Sequence, residues 1–211
     1  VDRSGTAPVK WFTVDDWCDP EEGWVVPPAG DAVWEARYEN DCERGKRTTR
    51  ALRGWDLTLL HRLQSPDTLR LCRDRFGFSA LPDPYLWGAG LHVTEPGGFL
   101  QTHLDYSLNP DPHGLFGRPR RRAVNLIAFC HPAWESGWGG EFYLADPLGA
   151  PAVTIDPAPG RLLAFETNDL SYHGVLPVTG PAVRVSVACY LLADAAPADT
   201  RRRALYLPNR R

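Results

Sequence analysis

Nothing in this chain marks it for a membrane, a disulfide framework or a nucleic acid. No apolar run approaches the length of about 18 residues that reads as a bilayer-spanning helix, and the opening VDRSGTAPVKW is polar and charged, unlike a secretory leader. Cys18, Cys42, Cys72, Cys130 and Cys189 show no CxxC or C-x-H spacing; an odd number at wide intervals reads as reduced thiols. Basic residues gather in only two short runs, 118–122 and 201–203, without interleaved stacking aromatics. Those runs are expected to face solvent, not a phosphate backbone. There is no internal repeat, no low-complexity tract and no alternation of strand and helix. These absences lead to the expectation of a cytoplasmic protein that binds neither nucleic acid nor membrane, with monomer or dimer left open.

What is present suffices for a core. The chain has 211 residues, 43% of them hydrophobic, and a folded chain of this size buries roughly 70% of its extended surface without a covalent staple. A single domain over 1–211 is expected, with three stretches of different character. Residues 1–84 form an aromatic-rich and helical support region. Its first 50 residues look irregular, punctuated by Trp11, Trp17, Trp24 and Trp34 among Pro, Gly and acids; so many tryptophans argue for packing against the body, and for a possible pocket wall. Between Ala51 and Phe76 two short helices are expected. Leu59, Leu60 and Leu63 make one apolar stripe, and Ser65-Pro66-Asp67 supplies an N-cap followed by proline at the first helical position. His61 in this stretch is read as an ordinary helix residue.

From residue 85 to 192 the pattern changes to strands, at 88–95, 99–105, 122–130, 140–145, 151–155, 161–166, 172–177 and 182–192. Pro96-Gly97-Gly98, Gly139-Gly140 and Pro159-Gly160 punctuate them. Eight short strands without crossover helices predict a mainly β fold, a double-stranded β-helix (jelly roll, cupin-like) with supporting N-terminal helices. Residues 193–211 are left as a C-terminal extension.

The chemistry begins at His103-Leu104-Asp105. On a strand, i and i+2 point to the same face about 6.5–7 Å apart, so His103 and Asp105 can converge on one ion. HxD alone is weak. His173, beside Gly174 at a strand end, is the fitting third ligand, and two histidines with one carboxylate make the facial triad of non-haem Fe(II) oxygenases. Eleven residues on, PAVRVSVACYLL alternates so that Arg184, Ser186, Ala188 and Tyr190 share a face. An inward arginine is costly unless paired. Either an Asp of the fold pairs with it, or a bound dicarboxylate does, gripped by the guanidinium fork with the Ser186 hydroxyl assisting.

Taken together, GGFLQTHLDYS, RRAVNLIAFCHPAW, WGGEFYLAD, PGRLLAFETNDLSYHGV and RVSVACYLL resemble, in order and spacing, the 2-oxoglutarate and Fe(II)-dependent oxygenases, specifically their prolyl-4-hydroxylase-like branch. The resemblance spans 97–192. It implies that His103, Asp105 and His173 bind Fe(II), and that Arg184 with Ser186 holds the far carboxylate of 2-oxoglutarate. Asn125 is implied near the cosubstrate's other end. Many relatives carry a tyrosine in the strand before HxD; this chain has His92, Val93 and Thr94 there, with Thr94 as the replacement hydroxyl. The implied reaction consumes 2-oxoglutarate and dioxygen, releases succinate and carbon dioxide, and oxidises a substrate C–H bond. Asp105 fills the position that halogenases leave for chloride, which favours hydroxylation, ring closure or desaturation.

His92, His113 and Tyr106 are the candidate substrate contacts, the latter two in a loop from Tyr106 to Phe116. His131 is read as a strand cap, and Trp134 and Trp138 as turn packing. A small polar molecule is the expected substrate: a sugar, an aminocyclitol or an amino acid. Abundant Arg, Ala, Gly and Pro with scarce Lys is the bias of a GC-rich genome, where such enzymes tailor antibiotics. A peptidyl prolyl hydroxylase is the runner-up, and a metal-free cupin-like sugar-binding protein is the reading from another class.

Overall fold

The computed structural model describes residues 2–20, 26–50, 54–109, 111–195 and 203–207; Trp24 and Arg201–Arg202 therefore lie outside the described residues. In chain order, β1 (Ser4–Gly5), β2 (Trp11–Val14), β3 (Ala36–Tyr38) and β4 (Glu43–Thr49) lead into helices α1 (Trp55–Leu63) and α2 (Pro66–Phe76). Next come β5 (Leu81–Pro82), β6 (Gly90–Leu104), β7 (Leu108–Asn109), β8 (Arg120–Phe129) and β9 (Phe142–Ala145). The order closes with β10 (Pro151–Ile155), β11 (Leu162–Glu166), β12 (His173–Val175), β13 (Arg184–Asp194) and β14 (Leu205–Tyr206).

The helices form where the sequence places them. The Ser65 hydroxyl accepts the Thr68 N–H, Pro66 opens α2, and Gly77 ends it in the left-handed region at φ 85°. Leu59, Leu60 and Leu63 are buried, and α1 packs against β6, β8 and β13.

Every strand pairing among the described residues is antiparallel, and the sheet runs β1-β2-β11-β8-β13-β6-β12-β9-β10. It curls on itself as a double-stranded β-helix. Alternation in β13 separates its two faces. Val185, Val187, Cys189 and Leu191 join the core that packs on α1 and α2, whereas Arg184, Ser186, Ala188 and Tyr190 line the interior cavity. Phe129, Phe142, Leu144, Leu163 and Phe165 form the apolar part of that interior.

Two expectations need correction. The segments 88–95 and 99–105 are one strand, not two. Its first half pairs with β13 and its second with β12, so β6 passes from one layer of the barrel to the other. Pro96-Gly97-Gly98 bends the strand without ending it. A Cβ on Gly98 would lie 2.7 Å from the Arg44 carbonyl oxygen, and β4 bulges between Arg44 and Lys46 to follow the bend. The first 50 residues are also less irregular than they look: β2 pairs with β11, and β4 lies along β6. Propensity is blind to such strands because their partners are distant in sequence. Trp11, Trp17 and Trp34 are buried as expected, Trp17 beneath Arg62 and Trp34 beneath Arg47.

Candidate active site

His103, at the end of β6, stands directly across from His173 of β12. Their ring centroids are 4.3 Å apart. Asp105, just beyond β6, turns its carboxylate to both: His103 Nε2 is 3.5 Å from Oδ1 and His173 Nε2 is 3.6 Å from Oδ2. One ligand atom from each residue falls within 4.8 Å of the others. The second nitrogen of each ring is already engaged. His103 Nδ1 lies 2.9 Å from the Gln101 carbonyl oxygen and His173 Nδ1 lies 2.8 Å from that of Ser171. A carbonyl can only accept, so Nδ1 of each ring carries a proton and Nε2 is the nitrogen turned to the carboxylate. Burial and the neighbouring His103 push His173 down to about 4, which keeps it neutral. Burial works to raise the Asp105 carboxyl, but His173, His103 and Arg122 together hold it well below the usual carboxylate range. Two imidazole nitrogens and a carboxylate thus converge in one buried site, arranged to share a cation. The donor set suits Fe(II).

The cavity beyond the triad has a volume of about 90 Å³. Across it β4, β6 and β13 set three side chains in one row, because Lys46 pairs with Thr94 and Thr94 with Arg184. One step along, His92 pairs with Ser186. Arg184 is 4% exposed. Its Nε donates to the Gly140 carbonyl at 2.9 Å and its guanidinium lies 4.9 Å from the Phe129 ring centre. Burial lowers it to about 10, and no carboxylate among the described residues pairs with it. Among the described residues no Asp or Glu pairs with this arginine, so its guanidinium fork is free to take a carboxylate from the cavity. Gly140, at φ 70°, admits the arginine: a Cβ there would sit 3.3 Å from Arg184 Cδ. Asn125 donates to Asp105 Oδ2 at 3.4 Å, while its Oδ1 is buried with no partner.

All the residues singled out for metal and cosubstrate line this one cavity, and His92 joins them. Burial, Lys46 and Arg184 lower His92 to about 3, so it is neutral there. Tyr106 lies outside the cavity, on the wall of a groove of about 450 Å³ that opens on His103 and Asp105. His113 is not brought to the site. Its side chain is exposed, with its ring 5.8 Å from that of Tyr85, because the loop turns it outward. His61 is exposed, and His131 closes the end of β8 against the Pro157 carbonyl. Trp134 donates to the Gly139 carbonyl and meets Trp138 edge to face, which is turn packing.

Four further residues reach the site, none of them given a role in it by sequence alone. Arg122, expected in solvent with its basic neighbours, is 2% exposed and turned inward. Lys46 lines both cavity and groove and pairs with Glu43 at 2.8 Å. Tyr206 stacks on His103 with centroids 5.1 Å apart. Tyr190 donates its hydroxyl to Asp105 Oδ2 at 2.7 Å; the alternation of β13 already showed it facing inward.

Comparison with known proteins agrees with this geometry. No curated protein sequence matches the chain. A prolyl-4-hydroxylase from Pseudomonas putida superposes with a TM-score of 0.54 at 17% identity, covering 88% of this chain and 93% of that one. The viral collagen prolyl hydroxylase of Paramecium bursaria Chlorella virus-1, in its 2-oxoglutarate complex, gives 0.55 at 14% identity over 87% and 96%. At such identities the likeness is one of fold. No helix among the described residues is long and apolar enough to cross a membrane. The sequence profile of the 2OG-Fe(II) oxygenase superfamily matches residues 89–192, the stretch that holds the triad, Arg184 and Ser186, and to that superfamily this chain belongs.

Proposed function

We propose that the protein hydroxylates a peptidyl substrate, with prolyl residues as the first class to test. The observation that carries this reading is the shape of the approach to the triad. The groove of about 450 Å³ carries Tyr38, Tyr106, Tyr190 and Tyr206 and touches His103 and Asp105. At Tyr106 it meets a second cavity of about 790 Å³ bounded by Trp87, Leu108, Asn109 and Pro119. Two aromatic-lined hollows that share Tyr106 suit an extended chain better than one sugar or amino acid, and proline-rich segments dock in such aromatic grooves. The two superposed enzymes are by name prolyl hydroxylases, which lends support to the same choice.

In this reading His103, Asp105 and His173 hold Fe(II), which with 2-oxoglutarate and dioxygen supplies the oxidation of a C–H bond coupled to decarboxylation to succinate. Arg184 grips the far carboxylate, and Ser186 and Thr94 line the same end of the cavity. Phe142 and Val175 keep the inner cavity apolar beside His173 and exclude bulk water. The groove presents the target residue to the triad's open side.

The test incubates the Fe(II)-loaded protein with 2-oxoglutarate and either a proline-rich peptide or free small molecules, namely L-proline and monosaccharides. Peptide-dependent succinate release with the gain of one oxygen atom by mass spectrometry is expected. Turnover with a free small molecule and none with peptides would overturn the peptidyl reading and restore the small polar substrate.

A further inference from the structure

The metal-binding carboxylate is held by an assembly that the triad itself does not explain. Tyr190 donates to Asp105 Oδ2 at 2.7 Å. The ring of Tyr190 is one face of a sandwich. The Arg122 guanidinium lies 3.5 Å from the Tyr190 ring centre and 3.4 Å from that of Tyr106 on its other side. Arg122 donates to the Tyr106 hydroxyl and to the Trp87 carbonyl, both neutral acceptors, and its Nε is buried without a partner. Gly88 makes room for it: a Cβ there would lie 2.6 Å from Arg122 Nη2. Asp83 and Asp105 lie near enough to feel the Arg122 charge, yet this guanidinium, 2% exposed, gives its hydrogen bonds to neutral acceptors and its faces to two rings, a placement that charge pairing alone does not explain.

We infer that Tyr190 is a positioning residue for Asp105, and that Arg122 acts by clamping Tyr190. A carboxylate on a short side chain can rotate about its last bond. The Tyr190 hydroxyl fixes that rotation by occupying Oδ2, and thereby sets which oxygens meet the histidine nitrogens and at what angle. Tyr190 rotates in turn unless its ring is held, and the flat guanidinium between two phenols holds it. The sequence signature is one residue on each of two neighbouring strands: Arg122 on β8 and Tyr190 on β13, where Tyr190 pairs with Asn125 and Leu192 with Arg122. This assignment does not depend on the substrate, so it stands or falls apart from the peptidyl reading.

The experiment measures Mn(II) affinity of the metal-free protein by calorimetry and records the visible spectrum of the Co(II)-loaded form. Tyr190→Phe keeps the ring on Arg122 and deletes the hydroxyl. Its Mn(II) affinity should fall by about 10- to 100-fold, the usual effect of losing a group that orients a metal ligand, and its Co(II) spectrum should shift. The melting temperature of the metal-free variant should fall by no more than a few degrees, the cost of one hydrogen bond to a carboxylate. Arg122→Lys keeps the charge but not the planar stack, and should weaken Mn(II) binding in the same direction. The double variant should bind no worse than Tyr190→Phe alone, the non-additivity expected of residues acting in series. Where Arg122→Lys does not fold, Tyr106→Leu removes one face of the clamp and takes its place. Unchanged affinity and spectrum in Tyr190→Phe would overturn the role of Tyr190, and additive effects would overturn the clamp.

Discussion

Replacing Arg184 with methionine separates a ligand-binding role from a structural one. The side chain is buried, and its contacts within the protein are one hydrogen bond to the Gly140 carbonyl and the face of Phe129. If its fork grips a ligand carboxylate, methionine deletes two charge-assisted hydrogen bonds at about 1.5–3 kcal/mol each. The sum, about 3–6 kcal/mol, is roughly two to four decades of affinity at about 1.4 kcal/mol per decade. For the protein without ligand the ledger differs. Methionine leaves the Gly140 carbonyl without its donor, a cost of about 1–3 kcal/mol, and relieves a guanidinium buried without a carboxylate, a gain of similar size. Titrating 2-oxoglutarate into the Mn(II)-loaded variant should therefore show binding weakened at least 100-fold. The metal-free melting temperature should stay within a few degrees of wild type. Arg184→Lys should be intermediate, at about tenfold, because the charge survives and the fork does not. Near-native cosubstrate affinity in Arg184→Met, or an unfolded variant, would show that this arginine serves the fold.

His173→Ala should abolish Mn(II) binding in calorimetry and the thermal stabilisation that Mn(II) gives the wild type, which at 100 times Kd amounts to about 2.7 kcal/mol; a native-like isotherm would remove His173 from the metal site. His131, which burial pushes down to about 4, is neutral in the fold and titrates near 6.5 when unfolded. Its contribution, about 3 kcal/mol from that difference, is therefore complete above pH 6.5 and withdrawn as the pH falls towards 4. Urea unfolding of the metal-free protein at pH 7, 6 and 5 should show declining stability; a flat profile would contradict the burial of a neutral ring. His113→Ala, at an exposed position, should leave metal affinity, cosubstrate affinity and the ratio of product to succinate unchanged, and a fall in that ratio would bring its loop into the substrate site.

The period of two that a strand carries is enough to find much of the centre of the site. His103 and Asp105 share a face by the period of two, and the same period turned Arg184, Ser186 and Tyr190 inward together. Ser65, Pro66 and Gly77 mark α2 because capping is local. Lys46 and Tyr206 could not be found this way. Their places beside Thr94 and His103 depend on β4 and β14 pairing with β6, a register written in no neighbouring residue. Arg122 departs from the solvent-facing expectation because its run of arginines looks uniform, yet alternate side chains of a strand face opposite ways. His113 stands exposed on its loop, away from the triad, because proximity in sequence to Asp105 says little once a turn intervenes. Pro96-Gly97-Gly98 reads locally as a boundary because the same residues that end strands also bend them, and the bulge in β4 tells the two apart.

The lie of β2 and β4 along the family-matched segment also bears on how far that segment can be trimmed. Residues 89–192 contain the triad and Arg184, yet β2 covers the open flank of β11, and β4 with β14 covers that of β6. A fragment cut to the matched boundaries would present two bare strand edges, with unpaired N–H and C=O groups set beside Phe165 and Leu100. Such edges recruit further chains edge to edge. β2 and β4 would thus guard against self-association as well as wall the site, and the trimmed fragment should aggregate more readily than the full chain.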